Sequence, residues 1–220
     1  MIRVTGFVHL EPDALEDVAA AIERTRDHVD ALALEVSPTK SMAHGAGQLM
    51  VLAAFTDAEA CDAAAAHPYV TDVLRPILDQ RASHVEVVRY SPGRRDVRAR
   101  ELAQGIQRTL LLHVDEHADA ADVARFERNL AAMPRYIDAI RNSALSRVDD
   151  VWGCTGRPWT HVWEQEFTSL GGLTDDYMNH PYHWSWVDTW FDPQAPNHLV
   201  DTTLVHAMCD LEQSLLALDA

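Results

Sequence analysis

Three cysteines in 220 residues, Cys61, Cys154 and Cys209, are too few and too irregularly spaced for a disulfide framework or a zinc knuckle. Buried or free thiols are expected. Cys154 lies in the loop Trp152-Gly153-Cys154-Thr155-Gly156, where a nucleophilic role would need an activating base, and no histidine stands beside it in sequence. Basic charge is scarce too. Lys and Arg number 18 against 34 Asp and Glu, a net charge of −16, which excludes a nucleic-acid backbone or an anionic membrane as the expected partner. No apolar run approaches the roughly 20 residues that span a bilayer, and no basic start leads into an apolar stretch, so the cytoplasm is the expected compartment. Metal donors do not assemble either: His180 and His183 have a helical spacing that can hold a metal, but no Asp, Glu or Cys falls at a matching position. Neither a metal nor another cofactor is expected.

What the chain does contain is an internal repeat. Val4 to Glu11 reads as a strand followed by an amphipathic helix from Ala14 to Val29, and Arg108 to Asp115 repeats the strand ahead of a helix from Ala120 to Ala132. Further on, the strand Gln48 to Phe55, an alanine-rich helix, His67-Pro68-Tyr69 and the strand His84 to Tyr90 match the strand Thr160 to Phe167, a helix through Tyr177, His180-Pro181-Tyr182 and a last strand, Leu199 to His206. The shared His-Pro-Tyr sets the register, and its occurrence in both copies marks His67 and His180 as helix-capping residues. Each copy reads as a ferredoxin-like α+β unit, residues 1–92 and 106–220, joined by an arginine-rich linker at 93–105. A four-stranded sheet with helices on one face leaves the other bare. Packing the two sheets together would cover both bare faces and make a pseudo-symmetric dimeric α/β barrel within one chain, which could pair again as a homodimer.

The copies differ in their polar residues. Three residues before the His-Pro histidine stands Ala64 in the first copy and Tyr177 in the second, three after it Val70 against His183, and six before the strand-ending phenylalanine Leu49 against His161. All six tryptophans also fall in the second copy. Alternation on Thr160 to Phe167 puts His161, Trp163, Gln165 and Phe167 on the helix-facing side of the sheet. With Pro181 in the first turn of a helix, His183, Trp186, Val187 and Trp190 share one side at helical spacing, which predicts that this side faces the sheet. Three polar groups converging on an apolar pocket is how ligand sites are built. The first copy is then the structural partner with a degenerate site. The stretch Arg147 to Pro158 has no counterpart of equal length there and reads as a lid over the pocket.

Asp176-Tyr177-Met178-Asn179-His180-Pro181-Tyr182-His183, preceded by Trp159-Thr160-His161-Val162, resembles the stress-responsive A/B barrel (Dabb) family, and within it a plant polyketide cyclase. The resemblance implies an acid–base pair of Tyr177 and His183, with His161 lining the same pocket. By the same resemblance Arg108 and Trp163 replace a histidine and a valine of that pocket, which keeps the chemistry and changes the substrate. The expected function is therefore cofactor-independent acid–base catalysis, of lyase, cyclase or isomerase type, on a small apolar or aromatic carbonyl compound. His183, Tyr177 and His161 are its catalytic candidates and Trp163, Arg108 and Trp186 its substrate-binding candidates. A small-molecule-binding protein without turnover is the alternative, ahead of a monooxygenase-like, metal or haem protein.

Overall fold

The computed structural model describes residues 1–153 and 158–218 and divides the chain into two units, Met1–Pro92 with Val148–Pro158 and Gly93–Arg147 with Trp159–Ala220. In chain order the strands and α-helices are β1 (Ile2–Leu10), α1 (Leu15–Glu23), β2 (Ala33–Pro38), β3 (Leu49–Phe55), α2 (Ala58–Ala65), α3 (Arg75–Arg81), β4 (Ala82–Tyr90), β5 (Arg94–Val97) and β6 (Ala103–Leu112). After these come α4 (Ala120–Ala132), β7 (Ile140–Arg147), β8 (Asp150–Trp152), β9 (His161–Phe167) and β10 (Val205–Gln213). The fold is α+β.

The first sheet has the antiparallel order β2-β3-β1-β4-β8 and the second β10-β6-β9-β7-β5. Without β8 and β5, both read fourth, first, third, second strand, the ferredoxin-like order in each unit. The two additional strands come from the segments expected as linker and insertion. Arg94–Val97 pairs with β7, and residues 103–105 already belong to β6, so 93–105 is sheet as well as connector. Asp150–Trp152 pairs with β4 and extends the first unit's sheet. Gly153 follows that strand at φ +77°, where a side chain would collide with the carbonyl of Val85. Cys154, the centre of the expected lid, lies outside the described residues.

Local chemistry repeats with the topology. Asp57 caps α2 by accepting from the Ala60 N–H at 2.9 Å, and Asp119 caps α4 by accepting from the Ala121 N–H at 2.7 Å, each satisfying a backbone donor that the first turn leaves free. His67 Nδ1 accepts from the Tyr69 N–H and His180 Nδ1 from the Tyr182 N–H, each at 3.1 Å. The two tyrosine hydroxyls then donate to the Ala21 carbonyl of α1 and the Asn129 carbonyl of α4. The His-Pro-Tyr motif thus caps one helix and ties it to another in both units.

The last strand departs from expectation. It runs Val205–Gln213 and not Leu199 to His206, because Asp201 Oδ1 accepts from the Thr203 N–H and turns the chain, while Val200 makes only a single bridge to Val114.

Candidate functional site

Every residue of β9 is buried, and alternation sends His161, Trp163, Gln165 and Phe167 toward the helices. His161 meets Phe126 of α4, and Phe167 meets Tyr177, both edge to face. Neighbouring β6 pairs Arg108 with Gln165 in register, and β10 pairs Met208 with Arg108, which brings His206 close. Two short π-helices carry the remaining groups, Tyr177 at the end of Gly172–Tyr177 and His183 at the start of His183–Val187. Such wide turns recur at functional sites.

Arg108 is the centre of this cluster. Its Nε donates to His206 Nε2 at 2.8 Å, an Nη donates to Gln165 Oε1, and the guanidinium lies 4.8 Å from the Trp163 ring and 4.9 Å from the Tyr177 ring. Neither acceptor is a carboxylate. Burial lowers the arginine pKa, against the opposing pull of Tyr177 and Asp188. Tyr177 is fully buried. Desolvation pushes its hydroxyl up to about 12 despite the nearby arginine charge, so it is a proton donor at any neutral pH.

The Tyr177 hydroxyl has no partner in full hydrogen-bond geometry among the described residues, although the Arg108 guanidinium is near enough to donate to it, and His183 Nδ1, Gln165 Nε2 and Trp190 Nε1 are likewise without a partner there. Buried polar atoms are almost always satisfied, and of the six such orphans among the described residues of this unit, which include Gln107 Oε1 and Arg141 Nε, those of Tyr177, His183 and Gln165 lie in the Arg108 cluster and mark a place where another molecule's polar groups belong. The Tyr177 and His183 rings stand 4.6 Å apart at 62°. Asp188 Oδ1 approaches His183 Nδ1 to 3.3 Å, outside hydrogen-bond geometry but within reach of an imidazolium.

Of the residues expected from sequence, Arg108, Trp163, Tyr177 and His183 come together. His161 and Trp186 do not join them. His161 sits two residues from Trp163 and four from Gln165 along the strand, about 7 and about 13 Å away at a rise of about 3.3 Å per residue, and what sets it apart is that both ring nitrogens are engaged elsewhere. Its Nδ1 is 2.9 Å from Thr160 Oγ1 and its Nε2 3.2 Å from Glu127 Oε1. Burial lowers the His161 pKa more than Glu127 raises it. Burial also acts to raise the Glu127 carboxyl, but hydrogen bonds from Arg147 and His161 outweigh it and hold the group below its ordinary value. Trp186 is 55 % exposed and turned from the sheet, whereas Val187 and Trp190 are buried. The winding explains it: i→i+5 bonding puts more than 3.6 residues in a turn, so Val187 stays in line with His183 and Trp186 rotates away. Gln165, His206 and Asp188 are site residues that the motif comparison did not single out. Matching the strands across the repeat would have shown the first two as polar residues replacing apolar ones.

Residues 106–203 match the family described as Stress responsive A/B Barrel Domain, Dabb. No curated protein sequence matches the chain. Among solved structures, an anthrone oxidase-like protein superposes with TM-score 0.68 at 8% identity, covering 98% of this chain and 92% of its own. A Fusobacterium nucleatum protein proposed to be a monooxygenase gives 0.61 at 9% identity, covering 97% and 94%, and one from Lactobacillus acidophilus NCFM gives 0.56 at 8%, covering 97% of each. At such identities the likeness is one of fold. No helix among the described residues is long and apolar enough to cross a membrane, and no group of three or more His, Cys, Asp or Glu there could hold a metal.

Proposed function

From a C-terminal unit that is a stress responsive A/B barrel domain, we propose cofactor-independent acid–base catalysis on a small apolar or aromatic carbonyl compound, with His183, Tyr177 and Arg108 as the working groups. The observation that carries this reading is the fully buried Tyr177 side chain, set between the Arg108 guanidinium and the His183 ring with its hydroxyl free of any other acceptor or donor among the described residues. A neutral imidazole is a suitable general base. His183 takes a proton from the carbon next to the substrate carbonyl, and Asp188 steadies the imidazolium that forms. Charge then develops on the carbonyl oxygen, where the Tyr177 hydroxyl donates a hydrogen bond and Arg108 supplies positive potential away from water. Returning the proton at another atom completes an isomerisation, and carbon–carbon bond formation or loss of water completes a cyclisation or dehydration. The similarity of Asp176 to His183 to the motif of olivetolic acid cyclase supports a polyketide-like substrate. His161, engaged by Thr160 and Glu127, takes no part in this scheme.

Proton exchange at carbon tests the first step on its own, whichever reaction follows it. Cyclic diketones and aromatic β-ketones are incubated with the protein in deuterium oxide, and exchange next to the carbonyl is followed by mass spectrometry. The expected result is protein-dependent exchange that falls at least about 100-fold in His183→Ala and Tyr177→Phe. No exchange above the His183→Ala background across the panel rejects the reading.

A second reading, binding without turnover, draws on two further orphans of this unit. Gln165 Nε2 and Trp190 Nε1 are donors without an acid–base role, suited to holding a ligand oxygen. Saturable quenching of tryptophan fluorescence by the same compounds, with no exchange and no product, favours it. The anthrone oxidase-like and monooxygenase neighbours share the fold at 8% to 9% identity, and an oxidative reaction ranks below both.

A further inference from the structure

The residues that build the polar cluster of the second unit have counterparts in the first, set by strand register. Ile2 pairs with Phe55 as Ile106 pairs with Phe167, so Val4 corresponds to Arg108, Ala53 to Gln165 and Val51 to Trp163. Val87 opposite Gly6 corresponds to His206 opposite Leu110. The His-Pro motif aligns Ala64 with Tyr177 and Val70 with His183. In the second unit these positions hold large or polar side chains, with Trp163, Gln165 and Tyr177 at 0% to 1% exposure. In the first unit all six residues are small and apolar, and all six line one cavity of about 230 Å³ between sheet and helices. Where the second unit sets a tryptophan, a tyrosine, an arginine and two histidines in one layer, the first leaves room that its backbone has not closed.

We propose that the N-terminal unit binds, in this cavity, a small uncharged molecule that is mostly hydrocarbon, an aromatic ring system or short alkyl chain bearing one hydroxyl or carbonyl oxygen. The volume exceeds the roughly 150 Å³ of an apolar cavity that admits benzene and falls short of the roughly 300 Å³ at which drug-sized ligands begin. The lining is apolar apart from three side chains. Thr25 contributes a buried hydroxyl with no hydrogen-bond partner among the described residues, a single polar contact for a single ligand oxygen. Arg75 is exposed and keeps its charged end in water while its stem borders the space. The Cys61 thiol is buried, and burial raises its pKa, so it stays protonated and the binding is non-covalent. A carboxylate in this setting would be desolvated without a buried cation to pair it.

Calorimetric titration with naphthalene, 1-naphthol and 1-naphthoate tests this. One-to-one binding of 1-naphthol and naphthalene is expected, with naphthoate at least tenfold weaker. Thr25→Val should remove the preference of 1-naphthol over naphthalene. Ala53→Leu and Val70→Phe, which fill the space from the floor and from its partly exposed edge, should each weaken both ligands at least tenfold. Val70→Phe alters a partly exposed side chain and keeps the test alive if the buried change harms folding. His183→Ala and Tyr177→Phe should leave binding unchanged, which separates this site from the one in the second unit. Absence of saturable binding by both neutral probes overturns the proposal, as does binding that survives Val70→Phe and is lost in Tyr177→Phe.

Discussion

The guanidinium of Arg108 lies 4.9 Å from the Tyr177 ring, and no carboxylate pairs with it among the described residues. A buried charge without an opposite charge contributes little to stability. Replacement by an apolar side chain of similar volume is commonly neutral or stabilising. Arg108→Met is therefore expected to keep or raise the urea midpoint, while exchange next to the substrate carbonyl falls about 10²- to 10³-fold for want of positive potential at the developing oxyanion. A midpoint that collapses together with activity would assign Arg108 to the core and not to the site.

Tyr177 has a signature of its own at alkaline pH. In the folded protein its hydroxyl ionises at about 12 and in the unfolded chain near 10.0, so between these values the unfolded chain releases the proton first. The tyrosine's contribution to stability is intact below about pH 10 and is lost as pH rises, by on the order of 2–3 kcal/mol in all. Tyr177→Phe should flatten that part of the stability curve. Denaturant titrations at intervals from pH 9 to 11 measure it, and parallel curves for the two proteins would refute the assigned burial.

The repeated architecture is legible in the sequence because its signals are local. Strand alternation and the duplicated His-Pro-Tyr each depend on residues a few positions apart. Within the cluster, Tyr177 and His183 emerge from comparing two copies of one pattern, and Arg108 and Trp163 from the resemblance to the Dabb family. The misplaced members depart for physical reasons that spacing does not encode. Alpha-helical periodicity gives Trp186 a face, but the segment winds as a π-helix. His161 shares the correct face of β9 with the site, yet that face is long enough to hold two separate polar groups. The edge strands β5 and β8 leave no mark in the sequence because pairing depends on the neighbour that a short polar segment finds, not on its composition.

Trp186 offers a direct check on that winding. Its side chain is 55 % exposed and stacks loosely beside Tyr182, with ring centroids 6.3 Å apart. Trp186→Ala should change stability by less than about 0.5–1 kcal/mol and leave exchange activity within about twofold. Trp190→Ala, at 1% exposure and in contact with Phe126, should cost about 3–5 kcal/mol. Thermal unfolding of the two variants side by side decides the matter, and similar losses would mean that Trp186 also faces the sheet.

His161 predicts an effect near neutral pH through its pairing with Glu127. Its folded-state pKa lies below 6.5, chiefly because burial disfavours the imidazolium. As pH falls below about 6.5 the unfolded chain takes up a proton that the folded chain refuses, so stability declines until the folded-state pKa is reached. Glu127 acts in a lower window. Its depressed pKa adds stability above about 4.5 that is lost as pH falls through the folded value. His9, also lowered by burial, adds a decline of the same sign in the first unit. His161→Gln keeps a neutral side chain that can donate to Glu127 and removes only the titration. Between about pH 6.5 and 5.5 the unfolding free energy of the variant should fall less steeply than that of the parent, by up to about 1.4 kcal/mol per pH unit, the limit for one proton. A variant that loses stability as steeply as the parent in urea titrations across this range would mean that His161 is not held neutral by its surroundings.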